Sequence, residues 1–200
     1  MTAERPAPRV IDGRFIQLSP LLRSDLPELY RAIGTPEVFA GGYGGGPAGL
    51  RDSEAGFVEF GEKYYQWDVG NVYAVRLPTG ELVGTSTLGD FDEATESAHI
   101  GWTAFAPSVW GTAVNPEAKL LMLGEAFDNG FGRVKLQADA LNTRSRAAIT
   151  KLGARFEGIT RRHMLRADGS WRDTAVFSIL VDEWPAVRAG LEQRLVDAGQ

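Results

Sequence analysis

The sequence predicts a mixed α/β fold built as one domain. Three observations carry that expectation. Two hundred residues are little more than one domain's length, and at that size a chain buries about 70% of its extended surface, enough for a core without staples. Hydrophobic residues at 44% and charged residues at 24% are ordinary globular proportions. The apolar period changes along the chain, in the order helical N-terminal part, strand meander, then β-α-β-α-β-β-α.

Residues 1–12 are polar and proline-containing and read as a flexible tail. Residues 14–18 form a short strand, and Ser24-Asp25 starts an amphipathic helix carrying Leu26, Leu29 and Ile33. Residues 35–50 are a loop holding Gly41, Gly42, Gly44, Gly45, Gly46 and Gly49, which read either as a mobile cover for a binding site or as a plain surface loop. A helix over about 52–67 places Phe57, Phe60 and Tyr64 on one face. Residues 72–77 and 82–88 are strands joined by Pro78-Thr79-Gly80, and 97–105 is a third. Strict alternation in that third strand puts Ala98, Ile100, Trp102 and Ala104 on one side. His99, Gly101, Thr103 and Phe105 fall on the other, so His99 lies beside Thr103 and away from Trp102.

The loop from Ala106 enters a helix that is apolar around most of its circumference, with Ala118, Leu120, Leu121, Met122, Leu123, Ala126 and Phe127. Pro116 suits its first turn, Glu117 suits the positive end of its dipole, and Asn129-Gly130 stops it. Residues 134–140 form a strand, and 142–152 a helix closed by Gly153. Two long strands, about 154–166 and 172–181, flank the hairpin signal Ala167-Asp168-Gly169-Ser170. Asp182 is placed to cap a terminal helix bearing Trp184, Val187, Leu191 and Leu195.

Composition narrows the function classes. With no cysteine there is no disulfide, thiolate nucleophile or cysteine-ligated zinc. No window approaches the ~18 consecutive apolar residues of a spanning helix, and no apolar leader follows the first charges, so a cytoplasmic protein without membrane contact is expected. The net charge of −5 argues against nucleic acid as partner. Charge is unevenly spread: residues 133–172 carry ten Lys/Arg and three Asp/Glu, within an otherwise acidic chain. A basic third of this kind fits a small polyanionic ligand, or else a solvated basic face. The two histidines, His99 and His163, have no metal-ligand spacing, and no metal is expected. Composition leaves monomer and homodimer open.

The most specific local feature is the strand, short glycine-containing loop and buried helix at 97–127. A loop entering a helix leaves several N–H groups converging on the positive end of the dipole, and Gly111 allows backbone to approach an anion closely. Neither GxxxxGK[ST] nor GxGxxG is present. At the right distances beyond it stand Asn142-x-x-Ser145, at the next strand-to-helix junction, and Lys151-Leu-Gly153 through Glu157-Gly158. With Ile100-Gly-Trp102, Trp110-Gly111-Thr112-Ala113, Glu117-Ala118, Ala126-Phe127 and Arg133-Val134, these motifs resemble the GNAT superfamily of N-acyltransferases. The likeness is closest to its RimJ/RimL-like branch, which acetylates N-terminal α-amino groups of ribosomal proteins.

The resemblance implies a mixed sheet splayed open between the strands at 97–105 and 133–140, with acetyl-CoA or another acyl-CoA in the gap. It places the pantetheine arm on the strand backbone at Thr103, Ala104 and Phe105, and the pyrophosphate on the N–H groups of Trp110, Gly111, Thr112, Ala113 and Val114. Asn142 holds the pantetheine or the neighbouring strand, and Ser145 lies near the thioester sulfur. Arg144, Arg146 and Lys151 are candidates for the phosphates, with Arg146 taken as a cofactor ligand. Three positions depart from the common family pattern. Ser108 stands where Gln or Arg is usual, Ile149 where many relatives have a tyrosine acid, and His99 where a glutamate is frequent. Ser145 is therefore expected to stabilise the thiolate, unless it only bonds its own helix backbone. His99 is expected to be the group that takes a proton from the amine, unless it is structural.

The function so implied is acyl transfer from CoA directly to a primary amine, on a protein N-terminus or a small molecule. An α-amine, with a pKa of about 7.7–8.0, is partly neutral at pH 7 where lysine is not. Asp90, Asp92, Glu93 and Glu96 read either as an attraction for a cationic amine or as a solvated acidic loop. Two alternatives stand beside this reading: a non-catalytic acyl-CoA-binding or regulatory protein, and an acyltransferase using a longer donor such as succinyl-CoA.

Overall fold

The computed structural model describes residues 2–199. Its strands are β1 (Ile11–Asp12), β2 (Gln17–Pro20), β3 (Asn71–Arg76), β4 (Leu82–Asp92), β5 (Ser97–Phe105), β6 (Arg133–Asp139), β7 (Arg155–Leu165) and β8 (Trp171–Leu180). The helices are α1 (Leu26–Ile33), α2 (Pro36–Ala40), α3 (Glu54–Tyr64), α4 (Val114–Asp128), α5 (Thr143–Lys151) and α6 (Trp184–Ala198). All eight strands join one sheet in the order β1-β2-β3-β4-β5-β6-β8-β7. Every pairing is antiparallel except β5 with β6.

Core forms on both faces of the sheet, and β3 shows why. Val72 and Ala74 pack with Leu26, Leu29, Ile33 and Phe57 of α1 and α3, while Tyr73 and Val75 pack with Met122 and Leu123 of α4. A strand covered on both faces reads as an unbroken apolar run, as Val72–Val75 does. Helix α4 is enclosed nearly all round, which explains its apolar circumference, yet Glu117, Lys119 and Glu125 are buried within it. Glu117 does more than face the helix dipole. Its carboxylate accepts from the N–H groups of Arg14, Phe15 and Ile16 at 2.7, 2.7 and 2.8 Å.

The expectation of a flexible tail over 1–12 is overturned for the described residues. Ala3 is buried in the core. The Arg5 guanidinium donates to the carbonyls of Asp68 and Gly70, both at 2.9 Å, and to Asn71 Oδ1 at 3.0 Å, while Asn71 Nδ2 donates to Pro6. Arg9 pairs with Glu125, and β1 pairs with β2. Polar composition misleads here because one arginine finds carbonyl acceptors for most of its donors. At the other end Glu183, not Asp182, is the residue preceding α6.

The glycine-rich segment holds the short helix α2 and two 3₁₀ turns, Tyr43–Gly45 and Pro47–Gly49. It folds so tightly that a Cβ on Gly49 would lie 2.1 Å from the Gly44 carbonyl oxygen. The segment straps across the sheet opening. The Gly41 carbonyl accepts from Asn142 Nδ2, and the Gly45 carbonyl from the Ala167 N–H at 3.0 Å in the β7–β8 hairpin.

Candidate active site

Strands β5 and β6 pair only from Ser97–Arg133 to Ile100–Leu136. Beyond that point they diverge, leaving the Gly101–Phe105 stretch of β5 without a β6 partner. The divergence opens a cavity of about 600 Å³. Opposite it, β5 carries a β-bulge. Gly101 pairs with Thr87 and Ala104 with Thr85, so one extra residue sits on β5, and Trp102 there has φ +49°. Such a bulge re-aims the residues that follow it.

The bulge corrects the simple alternation. Trp102 falls on the His99 face, with ring centroids 5.2 Å apart, and Ala104 packs with the α1–α3 cluster. Thr103 instead points to the α4 side, where Lys119 Nζ donates to its Oγ1 at 2.9 Å and to Ser86 Oγ at 3.2 Å. His99 therefore lies beside Trp102 and away from Thr103.

His99 is 2% exposed and lines the cavity. Its Nδ1 is 2.9 Å from Asp90 Oδ2. Asp90 is fixed by Gln66 Nε2 at 2.8 Å on its other oxygen, with Lys135 Nζ 3.5 Å from Oδ2. The hydrogen bond from His99 holds the Asp90 carboxyl far below its ordinary range, against the opposing effect of burial. An ionised Asp90 accepts only, so the imidazole proton belongs on Nδ1. Burial keeps the His99 pKa below its ordinary 6.5, with Asp90 acting in the other direction. The Nε2 lone pair is buried with no hydrogen-bond partner among the described residues. This is the arrangement of a neutral, oriented proton acceptor. Of the acidic cluster expected near it, Asp90 alone takes this part. Asp92 accepts from the Thr95 N–H and Glu93 from the Arg5 N–H.

The opposite side of the opening offers donors. Gly111 has φ +78° and nothing within 4 Å of where a Cβ would stand, so an anion can meet backbone there. The N–H groups of Gly111 and Ala113 have no backbone partner among the described residues, whereas Trp110 N–H bonds Pro107 O at 3.2 Å and Val114 N–H bonds Thr112 Oγ1 at 3.3 Å. Thr103, Ala104, Phe105, Trp110, Gly111, Asn142 and Ser145 all line the cavity; Thr112, Ala113 and Val114 do not. Asn142 caps α5 through Oδ1, which accepts from the Ser145 N–H at 2.9 Å. Its Nδ2 holds the glycine strap, a partner invisible at sequence level.

Arg146 is turned away from the opening. Its Nη1 donates to Ala140 O at 3.1 Å and the guanidinium lies 5.8 Å from the Phe156 ring. Arg144 lines the cavity, with its guanidinium 3.7 Å from the Trp110 ring centroid. Lys119 was missed. Burial pushes its amine down to about 7, and the only sequence signal was a lone lysine in an apolar helix. Asp139, Arg166 and Arg172 also line the cavity. Among the described residues, no three His, Asp or Glu side chains gather as metal ligands, and no helix is long and apolar enough to cross a membrane.

The parallel pair of β5 and β6, splayed open beside the loop that enters α4, is the framework of an acyltransferase. Residues 16–155 match the acetyltransferase (GNAT) domain family, and the chain belongs to that family. A GCN5-related N-acetyltransferase from Brucella melitensis superposes with a TM-score of 0.87 at 29% identity, over 97% of this chain and 88% of that one. A proposed acetyltransferase from T. thermophilus gives 0.85 at 31% identity, over 95% and 98%. RimJ of Mycobacterium smegmatis, solved with CoA-disulfide, gives 0.72 at 25% identity, over 96% and 92%. No curated protein matches the sequence.

Proposed function

We propose that the protein transfers an acetyl group from acetyl-CoA directly to a primary amine, an N-terminal α-amine or a small-molecule amine, in the cytoplasm. The observation that carries this reading is His99, a cavity-lining residue whose Nδ1 is held by Asp90 and whose buried Nε2 has no hydrogen-bond partner among the described residues. The residues present suit the co-substrate. The β5 edge at Thr103–Phe105 has no β6 partner and can pair with pantetheine amides apart from the Phe105 carbonyl, which accepts from Trp110 Nε1 at 2.9 Å. The N–H groups around Gly111 would meet the pyrophosphate, and Arg144 adds positive charge. Acyl-CoA supplies an activated thioester, and the chain supplies position and proton transfer.

His99 Nε2 accepts the proton from the incoming ammonium, directly or through water, while Asp90 holds the ring. Ser145, at the cavity wall beside the Asn142 cap, donates a hydrogen bond to the leaving thiolate. Ile149, where a tyrosine acid is frequent, is buried with no proton to give. A protein that merely bound acyl-CoA would have no use for an oriented, desolvated histidine, which favours the enzyme reading. Isothermal titration with CoA, followed by thiol release from acetyl-CoA across an amine panel, tests both halves. CoA binding with amine-dependent release is expected; binding without release under any amine would overturn the catalytic reading.

A further inference from the structure

The charged side chains lining the cavity are unbalanced: Lys119, Arg144, Arg166 and Arg172 are basic, and Asp139 is acidic. Asp139 is already engaged. Its Oδ2 accepts from Arg166 Nε at 3.0 Å and Nη2 at 2.8 Å, and its Oδ1 accepts from the Leu141 N–H at 3.0 Å. Arg144 lies over Trp110 on the Gly111 side, and Lys119 is held by two hydroxyls. Arg172 remains. Its Nε is buried with no hydrogen-bond partner among the described residues, and no carboxylate there forms a salt bridge with it. Asp139 favours its charge from nearby without a salt bridge, so the guanidinium keeps donors for an acceptor that the ligand brings.

Strand register sets how far that acceptor lies from the reacting amine. His99 is opposite Lys135, Asp139 is opposite Thr174, and Arg172 stands two residues beyond Thr174. The offset from His99 to Arg172 is about 20 Å along the strands, shortened by two side chains that reach into the same cavity. The remaining gap exceeds the amine–carboxylate spacing of an α-amino acid and suits two or three residues of extended peptide, at roughly 3.3–3.6 Å each. The roof of Gly41–Gly45 and Leu165–Ala167 lines the same cavity and limits the size of what enters.

Building on the acyltransferase reading, we propose that the acceptor is a short peptide with a free carboxylate, whose α-amine meets His99 and whose carboxylate pairs with Arg172. An acceptor carrying only positive charge, such as a polyamine, meets uncompensated repulsion from the arginines.

The test uses Ala-Leu and Ala-Ala-Leu, each as free acid and as C-terminal amide, with spermidine as the cationic comparison. Thiol release from acetyl-CoA gives kcat/KM for each. Amidation removes a negative charge and lowers the amine pKa, so a preference for the acid runs against intrinsic reactivity. Wild type is expected to prefer the acids by tenfold or more. In Arg172→Gln the acid-to-amide ratio falls to within threefold of one, and in Arg172→Lys it stays between. Because the ratio is taken on one preparation, partial misfolding of a variant cancels. Equal rates for acid and amide in wild type, a ratio unmoved by Arg172→Gln, or faster turnover of spermidine would each overturn the inference and leave the transferase reading standing. Absence of thiol release with every amine would overturn that reading and this inference together.

Discussion

Replacing Asp90 with asparagine changes one atom and, through the surrounding hydrogen bonds, reverses the polarity of His99. Gln66 Nε2 donates at 2.8 Å to Asp90 Oδ1, so an asparagine keeps its carbonyl oxygen there. Its NH₂ group is thereby aimed at His99 Nδ1, at the 2.9 Å position now held by a carboxylate oxygen. Nδ1 must then accept, the ring proton moves to Nε2, and the Nε2 lone pair is lost. A positioned base contributes roughly 10²–10⁴ in rate; Asp90→Asn is accordingly expected to lower kcat/KM about 10²–10³-fold. The pH profile separates this from a general disturbance. Neutral His99 is the active form and its pKa is held below 6.5, so wild-type activity rises with pH through an ionisation below that value and again through the amine near 7.7–8.0. The variant keeps only the amine ionisation. Thiol release measured from pH 5 to 9 reads both. A loss of less than threefold, or a larger loss with both ionisations intact, would refute the reasoning.

Lys119→Met is expected to stabilise the protein at pH 6 by about 1–4 kcal/mol, because the wild-type ammonium is buried without a carboxylate partner. The lysine pKa is lowered on folding, to about 7, so its cost is full below pH 7 and is relieved as pH rises toward 10.5. The gain seen in urea unfolding should shrink over that interval, and a constant gain contradicts the assignment. Gly111→Ala is expected to lose about 1 kcal/mol from the left-handed backbone and to weaken CoA binding tenfold or more by calorimetry. Gly80→Ala carries the same backbone cost at an open turn with φ +89°, and CoA affinity equal to that of Gly111→Ala would count against a contact at Gly111. Glu117→Ala is expected to lower stability by about 2–4 kcal/mol in denaturant melts, since three backbone N–H groups, that of Ile16 buried and the other two partly so, lose one charged acceptor.

Element order and the hairpins were legible in the sequence, because period and turn chemistry are local properties; the β5–β6 opening was implied only by the family resemblance. The inverted face of Trp102 was not. One extra residue in a strand resets a period of two, and nothing in Ile100-Gly-Trp102 marks which residue bulges. Arg144 and Arg146 are two steps apart on α5 and so point in widely different directions; only the docked rotation of the helix decides which faces the opening. Asp90 looked like one of four loop acids until the fold brought it to His99, and Arg5 looked like part of a tail until carbonyls of Asp68 and Gly70 surrounded it. Long-range partners of this kind have no sequence period to reveal them.

The central claim is direct acyl transfer at the β5–β6 opening with His99 as proton acceptor. Its most direct test is initial-rate thiol release from acetyl-CoA while amine and acetyl-CoA are varied together, on wild type and His99→Gln. Intersecting double-reciprocal lines in wild type, and a variant at least about a hundredfold slower that still binds CoA, are the expected result. Parallel lines, the signature of a covalent acyl-enzyme, or a His99→Gln rate equal to wild type would contradict it.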